Sequence, residues 1–380
     1  MSVDKLKQIA LGTIAVSLLF MSGTVLADYM NVLNLTEGVT PTSKMVYGLH
    51  MKILYIVTAI GVVVFSVMCW SIFHHRKSKG AVAEQFHHST TAEITWTVIP
   101  IIILVIMAIP ATKALVFMEQ TGDAEMTLKV TGLQWKWKYD YLDEDISFIS
   151  SLSQDSNDAR QMGSGIDPNT VENYLMDVDN YVVLPIKTKI RILTTAADVI
   201  HGWWVPDLGW KRDAIPGFIN DNWTYIEEPG VYRGNCAELC GRDHGFMPIV
   251  VNAVPKAEYA VWVEEQKAMQ LAAAAGADKE WTKEELLEKG AEVYAANCAA
   301  CHMAEGQGIE GLFPALNGSA IVNGSAAEMV MLILNGKNMM PAFKDILNDV
   351  DIAAAMTHER NSWGNTVKDV VQPSDVKAMR

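Results

Sequence analysis

Two apolar runs near the start of the chain limit what it can fold into before any other feature does. Residues 51–73 are 23 long and charged only at Lys52, and residues 94–117 are 24 long with Lys113 near their end. At 1.5 Å per residue each can cross a hydrocarbon core of about 30 Å. Lys113 can reach the interface along its own stem. Pro100 and Pro110 are tolerable where neighbouring helices re-satisfy the freed carbonyls. The connecting loop carries Arg76, Lys77 and Lys79, so it is expected on the cytoplasmic side, with both ends of the hairpin facing outward. A third apolar stretch, 9–27, follows Lys5 and Lys7 and ends Val25-Leu26-Ala27. It reads as a signal peptide over 1–27, with a third membrane anchor as the rival.

The hairpin also resolves an odd average. The 380-residue chain is 50% hydrophobic yet carries a formal net charge of −14. Residues 1–118 hold 8 Lys/Arg against 5 Asp/Glu, net +3, while 119–380 carry net −17. An acidic exported part argues against nucleic acid, which needs a basic patch, and suits a basic protein partner. The hydrophobic content excludes disorder. Five cysteines are too few for a disulfide scaffold. Four of them form two close pairs, 236/240 and 298/301, which points to cofactor chemistry.

Residues 126–254 read as strands. They include an alternating run from Met126 and an aromatic one holding Trp135, Trp137, Tyr139 and Tyr141. Short β-type runs follow at 181–184, 190–194, 223–226, 230–233 and 249–253. The expected fold is an antiparallel sandwich or barrel, with 150–165 as an exposed polar loop. Residues 258–269 read as a helix and 271–278 as an alanine-rich linker. Thr282-Lys-Glu-Glu285 has the form of a capping box, and the rest is helical in pattern. The expected fold class is a two-helix membrane hairpin, a cupredoxin-like β-domain, then an all-α domain. The expected boundaries are 28–118 for the hairpin, 119–262 for the β-domain, 263–280 for the linker and 281–380 for the helical domain.

The first cysteine pair lies in Gly234-Asn-Cys236-Ala-Glu238-Leu-Cys240-Gly-Arg-Asp-His244-Gly-Phe-Met247-Pro248. Soft sulfur with imidazole favours copper, zinc or iron. Two thiolates can bridge two coppers, each then wanting an imidazole and a weak axial donor. His244 and Met247 supply one of each. His201, in Asp198-Val-Ile-His201-Gly-Trp-Trp, is the candidate for the second imidazole, and the Glu238 carbonyl for the second axial donor. A Cys236–Cys240 disulfide and a Cys2His2 zinc site are the competing readings, and Met247 argues against zinc.

These motifs, with Asp213-Ala-Ile-Pro-Gly217 and Gly132-Leu-Gln-Trp135-Lys-Trp137, resemble subunit II of haem–copper cytochrome c oxidases over about residues 28–262. The resemblance implies a dinuclear CuA centre held by His201, Cys236, Glu238 (through its carbonyl), Cys240, His244 and Met247. It implies a magnesium site at the subunit I/II interface reached by the Glu238 side chain. Trp135 matches the exposed electron-entry tryptophan, Asp198 and Asp213 the donor-docking acids, and Glu93 the carboxylate at a proton-channel mouth. Asp207, Trp210 and Phe218 depart from the family pattern.

The second pair forms Cys298-Ala-Ala-Cys301-His302, a covalent haem c attachment pattern in which His302 faces the iron. A redox dithiol is the alternative. Met340, directly before Pro341, is the candidate distal ligand and Met339 the runner-up. Gly311-Leu-Phe-Pro314-Ala-Leu resembles the loop over the proximal side of small c-type cytochromes, which implies that the Pro314 carbonyl orients His302. Residues 280–365 resemble a class I cytochrome c domain, so the whole chain resembles the caa-type arrangement, an oxidase carrying its own cytochrome. The resemblance implies an electron-transfer subunit of an inner-membrane oxidase with its soluble domains on the periplasmic side. The expected partners are catalytic subunit I, further membrane subunits and a cytochrome c or other external donor. A nitric oxide reductase subunit and a membrane-anchored redox sensor are the rivals.

Overall fold

The computed structural model describes residues 34–380 except 84, 86 and 345. The expected signal peptide therefore lies outside the described residues.

Helices α1 (Pro41–His74) and α2 (Thr90–Met118) form the hairpin. With 34 and 29 residues they are about 51 and 44 Å long, more than a hydrocarbon core requires. Helix α1 starts ten residues before the apolar run. Thr40 and Ser43 form a reciprocal capping box there, and Pro41 occupies the first turn, where its missing N–H is harmless. Val62, Phe65, Leu104 and Ile106 are all exposed, as expected of helices solvated by lipid. Helix α2 continues through Pro100 and Pro110.

The β-domain is built from β1 (Met126–Leu133), β2 (Lys136–Tyr141), β3 (Ile146–Ser150), β4 (Val182–Pro185) and β5 (Ile190–Ala196), followed by β6 (His201–Val205), β7 (Trp210–Ala214), β8 (Asn220–Thr224), β9 (Gly230–Cys236) and β10 (Pro248–Val254). They form two five-stranded sheets, ordered β3-β2-β1-β5-β8 and β4-β10-β9-β6-β7. Each sheet contains one parallel pair, β1 with β5 and β4 with β10, so the purely antiparallel expectation is corrected. Alternation in β1 and β5 places Leu128, Val130, Ile190 and Ile192 in a core completed by Trp137, Tyr139 and Trp203.

Three strands escaped sequence reading. Strand β7 is Trp-Lys-Arg-Asp-Ala, and only its pairing with β6 makes it a strand. Its Trp210 stacks on Trp203 at 5.0 Å, which accounts for one departure from the family pattern. The polar stretch 150–165 holds a short helix, α3 (Gln154–Ala159), with Ser156 and Ala159 buried, rather than a simple exposed loop. The alanine-rich segment is no extended linker either. Helix α4 (Lys256–Gly276) runs through it, since alanine is the best helix former, and Trp262 anchors the helix against Tyr141 and Phe148.

The C-terminal part comprises α5 (Lys283–Asn297), α6 (Ala299–His302), α7 (Ala326–Asn335), α8 (Asp349–Asn361) and α9 (Pro373–Lys377). The capping box expected at Thr282 and Glu285 opens α5. A Cβ at Gly290 would stand 2.1 Å from the Ala354 carbonyl oxygen, so α5 and α8 cross this closely only because residue 290 is glycine. Val330, Phe343, Ile352 and Met356 fill the core.

Candidate functional site

The last residue of β9, the first residue of β6 and the loop before β10 converge on one sulfur-rich cluster. Cys236 and Cys240 are buried, and their Sγ atoms are 3.8 Å apart. A disulfide requires about 2.05 Å, so the thiols are unbonded and free to act as ligands. His201 is fully buried, with Nδ1 at 3.9 Å from Cys236 Sγ. His244 Nδ1 and Met247 Sδ each lie 3.5 Å from Cys240 Sγ, and the Glu238 carbonyl lies 3.3 Å from Cys236 Sγ. All six predicted donors therefore come together. Two thiols, two imidazoles, a thioether and a carbonyl make a set suited to a soft transition metal.

The surroundings orient these donors. The Nε2–H of His201 donates to Asp198 Oδ1 at 2.9 Å, which leaves Nδ1 for the sulfur side. Gly132 makes room for the ring, since a Cβ there would stand 2.6 Å from His201 Cδ2. Trp137 sits edge-on to the imidazole at 5.8 Å and donates to the Met247 carbonyl. The neighbouring Cys240 thiol, with His201, holds the Cys236 thiol well below its usual range, so one of the pair ionises readily. Arg160 was missed from sequence because it lies in the supposed loop. It pairs with buried Asp243 at 3.4 Å and covers Phe246 at 4.4 Å, bracing the ligand loop.

Two surface roles are revised. Trp135 is only 9% exposed, and its indole N–H donates to the Cys240 carbonyl at 3.1 Å. The expectation of an exposed tryptophan is thus corrected: the ring lies inward against the ligand loop at Gly241. Asp198 also turns inward, because its carboxylate accepts from Gln134 N, Val199 N and His201. Asp213 remains partly exposed but is paired with Lys211 at 2.7 Å. The Glu238 carboxylate faces the same Lys211 at 3.6 Å. Lys211 thus lies between the Asp213 and Glu238 carboxylates. Glu93 lies exposed in the first turn of α2, where the helix dipole favours an acid.

A second site is a cavity of about 420 Å³ in the helical part, within the usual range for a bound organic group. Cys298, Cys301, His302, Met339 and Met340 all border it, in a lining otherwise largely apolar. His302 Nδ1–H donates to the Pro314 carbonyl at 2.8 Å, as the sequence suggested. Burial holds His302 below its usual pKa and so keeps the imidazole neutral, the metal-binding form. Burial also pushes both thiols upward, unlike the lowered thiols of redox dithiols. Met340 is half-buried against the core, whereas Met339 is 59% exposed. The residues fit a covalently held, iron-ligated ring. Sequence reading missed two further members, Glu359, buried beside Cys298, and Lys136, which reaches in from β2. Neither carries a local motif.

Comparison with known proteins gives three family matches. Residues 28–114 match the transmembrane domain of cytochrome C oxidase subunit II, residues 126–254 its periplasmic domain, and residues 272–358 the family described as cytochrome C oxidase, cbb3-type, subunit III. The last match overturns the expected caa-type fusion of a class I cytochrome c domain. A Cys-x-x-Cys-His motif and a downstream methionine are too short to separate one helical haem-attaching family from another. The probable cytochrome c oxidase subunit 2 of Rickettsia prowazekii is 42% identical over 225 residues, 59% of this chain and 69% of that protein. The Arabidopsis thaliana subunit 2 is 40% identical over 62% of this chain and 89% of that protein. The solved periplasmic domain of subunit II from Bradyrhizobium japonicum is 40% identical, with a TM-score of 0.34, over 40% of this chain and 99% of that one.

Proposed function

This chain belongs to the cytochrome c oxidase subunit II family, and from that premise we propose that it relays electrons from an external donor to an oxygen-reducing catalytic subunit by way of a dinuclear copper centre and a covalently bound haem c. It is a non-catalytic electron-transfer subunit, carried in the inner membrane by α1 and α2 with its soluble part on the periplasmic side. The family implies a catalytic partner subunit within the membrane. Copper and haem, when bound, supply one-electron redox chemistry in a shielded setting.

The observation that carries the proposal is the six-donor set around Cys236 and Cys240. The two thiols of Cys236 and Cys240 with the imidazoles of His201 and His244 would suit holding two coppers. The Met247 thioether supports copper over zinc, which prefers thiolate, imidazole and carboxylate. Asp198 fixes the His201 tautomer, and Trp137 packs edge-on against the ring. In the helical domain Cys298 and Cys301 would hold the haem covalently, and His302 and Met340 would be its iron ligands. A thioether ligand to the iron would favour electron transfer over oxygen binding.

The segment between the two sites supports an internal route. Gln134 borders the C-terminal cavity, and its Nε2–H donates to the Cys240 carbonyl at 2.9 Å. Trp135 donates to that same carbonyl. One hydrogen bond thus joins the cavity wall to a copper ligand. Glu93 is proposed as the carboxylate at a proton-channel mouth, and Asp213 as part of a donor-docking face.

The test is purification of the intact complex, with metal analysis, a reduced-minus-oxidised spectrum and oxygen consumption. Two coppers and one c-type haem per chain, with oxygen uptake, are expected. Turnover of nitric oxide without oxygen uptake, or isolation as a lone subunit without copper, would overturn the reading.

A further inference from the structure

The wall that β2 contributes to the C-terminal cavity carries a charge left without a counter-ion. Lys136 is 5% exposed, although lysine is among the residues least often buried. Of its three ammonium donors, one goes to Oδ1 of Asn297, the residue before Cys298. The Phe343 ring lies 5.8 Å from Nζ. Among the described residues no carboxylate forms an ion pair with it, and Asp179 and Asp198 act on it only through space.

An unpaired buried ammonium is strongly unfavourable, and burial pushes this one down to about 8. The other charged groups bordering the cavity do not answer it. Lys337 has the same sign and lies exposed at the rim. Glu359 sits beside Cys298, and burial raises it to about 8, so it is largely neutral at pH 7. The cavity is thus apolar with one buried cation facing it, an arrangement complete only when the occupant brings an anion.

We infer that the Lys136 ammonium is an anion site of the C-terminal cavity, binding a carboxylate of the group held by Cys298, Cys301 and His302. The inference rests on the haem reading above, haem being a ring that carries two carboxylates. Its consequence is that the β-domain completes the haem site of the helical domain. Arg242 makes a second contact of this kind, with Nη1 at 3.7 Å from Met303 Sδ. A positive charge beside the ring favours its reduced form, since reduction adds an electron.

The test uses the full-length holoprotein and compares Lys136→Gln with Lys136→Arg. Haem content is measured as pyridine haemochrome, copper by its near-infrared band, and the haem midpoint by spectroelectrochemical titration. Loss of one charge is expected to shift the reduction equilibrium about tenfold towards the oxidised form in K136Q, about 59 mV lower for one electron, while K136R stays near the parent. Loss of haem from K136Q alone, with copper retained, also supports the site. An unchanged midpoint in haem-loaded K136Q, or loss of haem from both variants, overturns it. Absence of c-type haem from the parent chain would instead overturn the haem reading itself.

Discussion

Asp198 Oδ1 accepts the Nε2–H of His201 at 2.9 Å, and this bond aims the other nitrogen of a fully buried ring at Cys236. The second carboxylate oxygen accepts Gln134 N–H at 2.7 Å, so the same residue steadies the segment bordering the C-terminal cavity. An acid that resembles a docking residue in sequence is, in the fold, a support for a buried imidazole of the sulfur-rich cluster.

Replacing Asp198 with Asn should therefore weaken copper binding rather than donor docking. Removing such an orienting partner typically lowers metal affinity 10–100-fold. Competition with a copper chelator measures it. Parental affinity with weakened donor binding would show that the inward hydrogen bond is immaterial.

Cys240→Ser should abolish the near-infrared absorption of the copper pair and leave the haem spectrum unchanged. Cys240 touches His244 and Met247 as well as Cys236, so its loss removes the hub of the cluster. Simultaneous loss of the haem spectrum would contradict two separately held centres.

Met340→Ala should convert the haem to a high-spin or ligand-exchanged form, and Met339→Ala should not. Met340 packs against the core beside the cavity, whereas Met339 is largely exposed. Visible absorption and magnetic circular dichroism read the spin state. The reverse pattern would move the axial role to Met339.

Glu359 should make the helical domain less stable as pH rises. Its carboxyl is 4% exposed, and burial raises its pKa to about 8 from an ordinary 4.5. The unfolded chain releases this proton above about pH 4.5 while the folded chain retains it until about 8. Stability is accordingly greatest below 4.5 and declines between those values. Glu359→Gln should remove that slope, with a gain of roughly 3 kcal/mol at pH 7. Thermal unfolding followed at the Soret band at pH 5 and pH 7.5 gives the comparison, and parallel slopes would refute it.

Features written in nearby residues were legible from the sequence. The hairpin follows from two apolar runs, and the sulfur-rich cluster from the spacing of Cys236, Cys240, His244 and Met247. The Thr282–Glu285 cap was legible for the same reason, because all its interactions span three residues. Family membership of the last domain was not, since five residues and a distant methionine carry too little pattern.

Tertiary structure alone decided the rest. Strand β7 exists because β6 lies beside it, and the alanine-rich segment is a docked helix because Trp262 finds Tyr141 and Phe148. Trp135 turns towards the Cys240 carbonyl, 105 residues away, and Lys136 meets Asn297, 161 residues away. The physical reason is the same in each case. Local spacing sets which donors can share a loop or a helical turn, whereas burial and charge pairing depend on which distant surface arrives opposite, and no local pattern encodes that arrival.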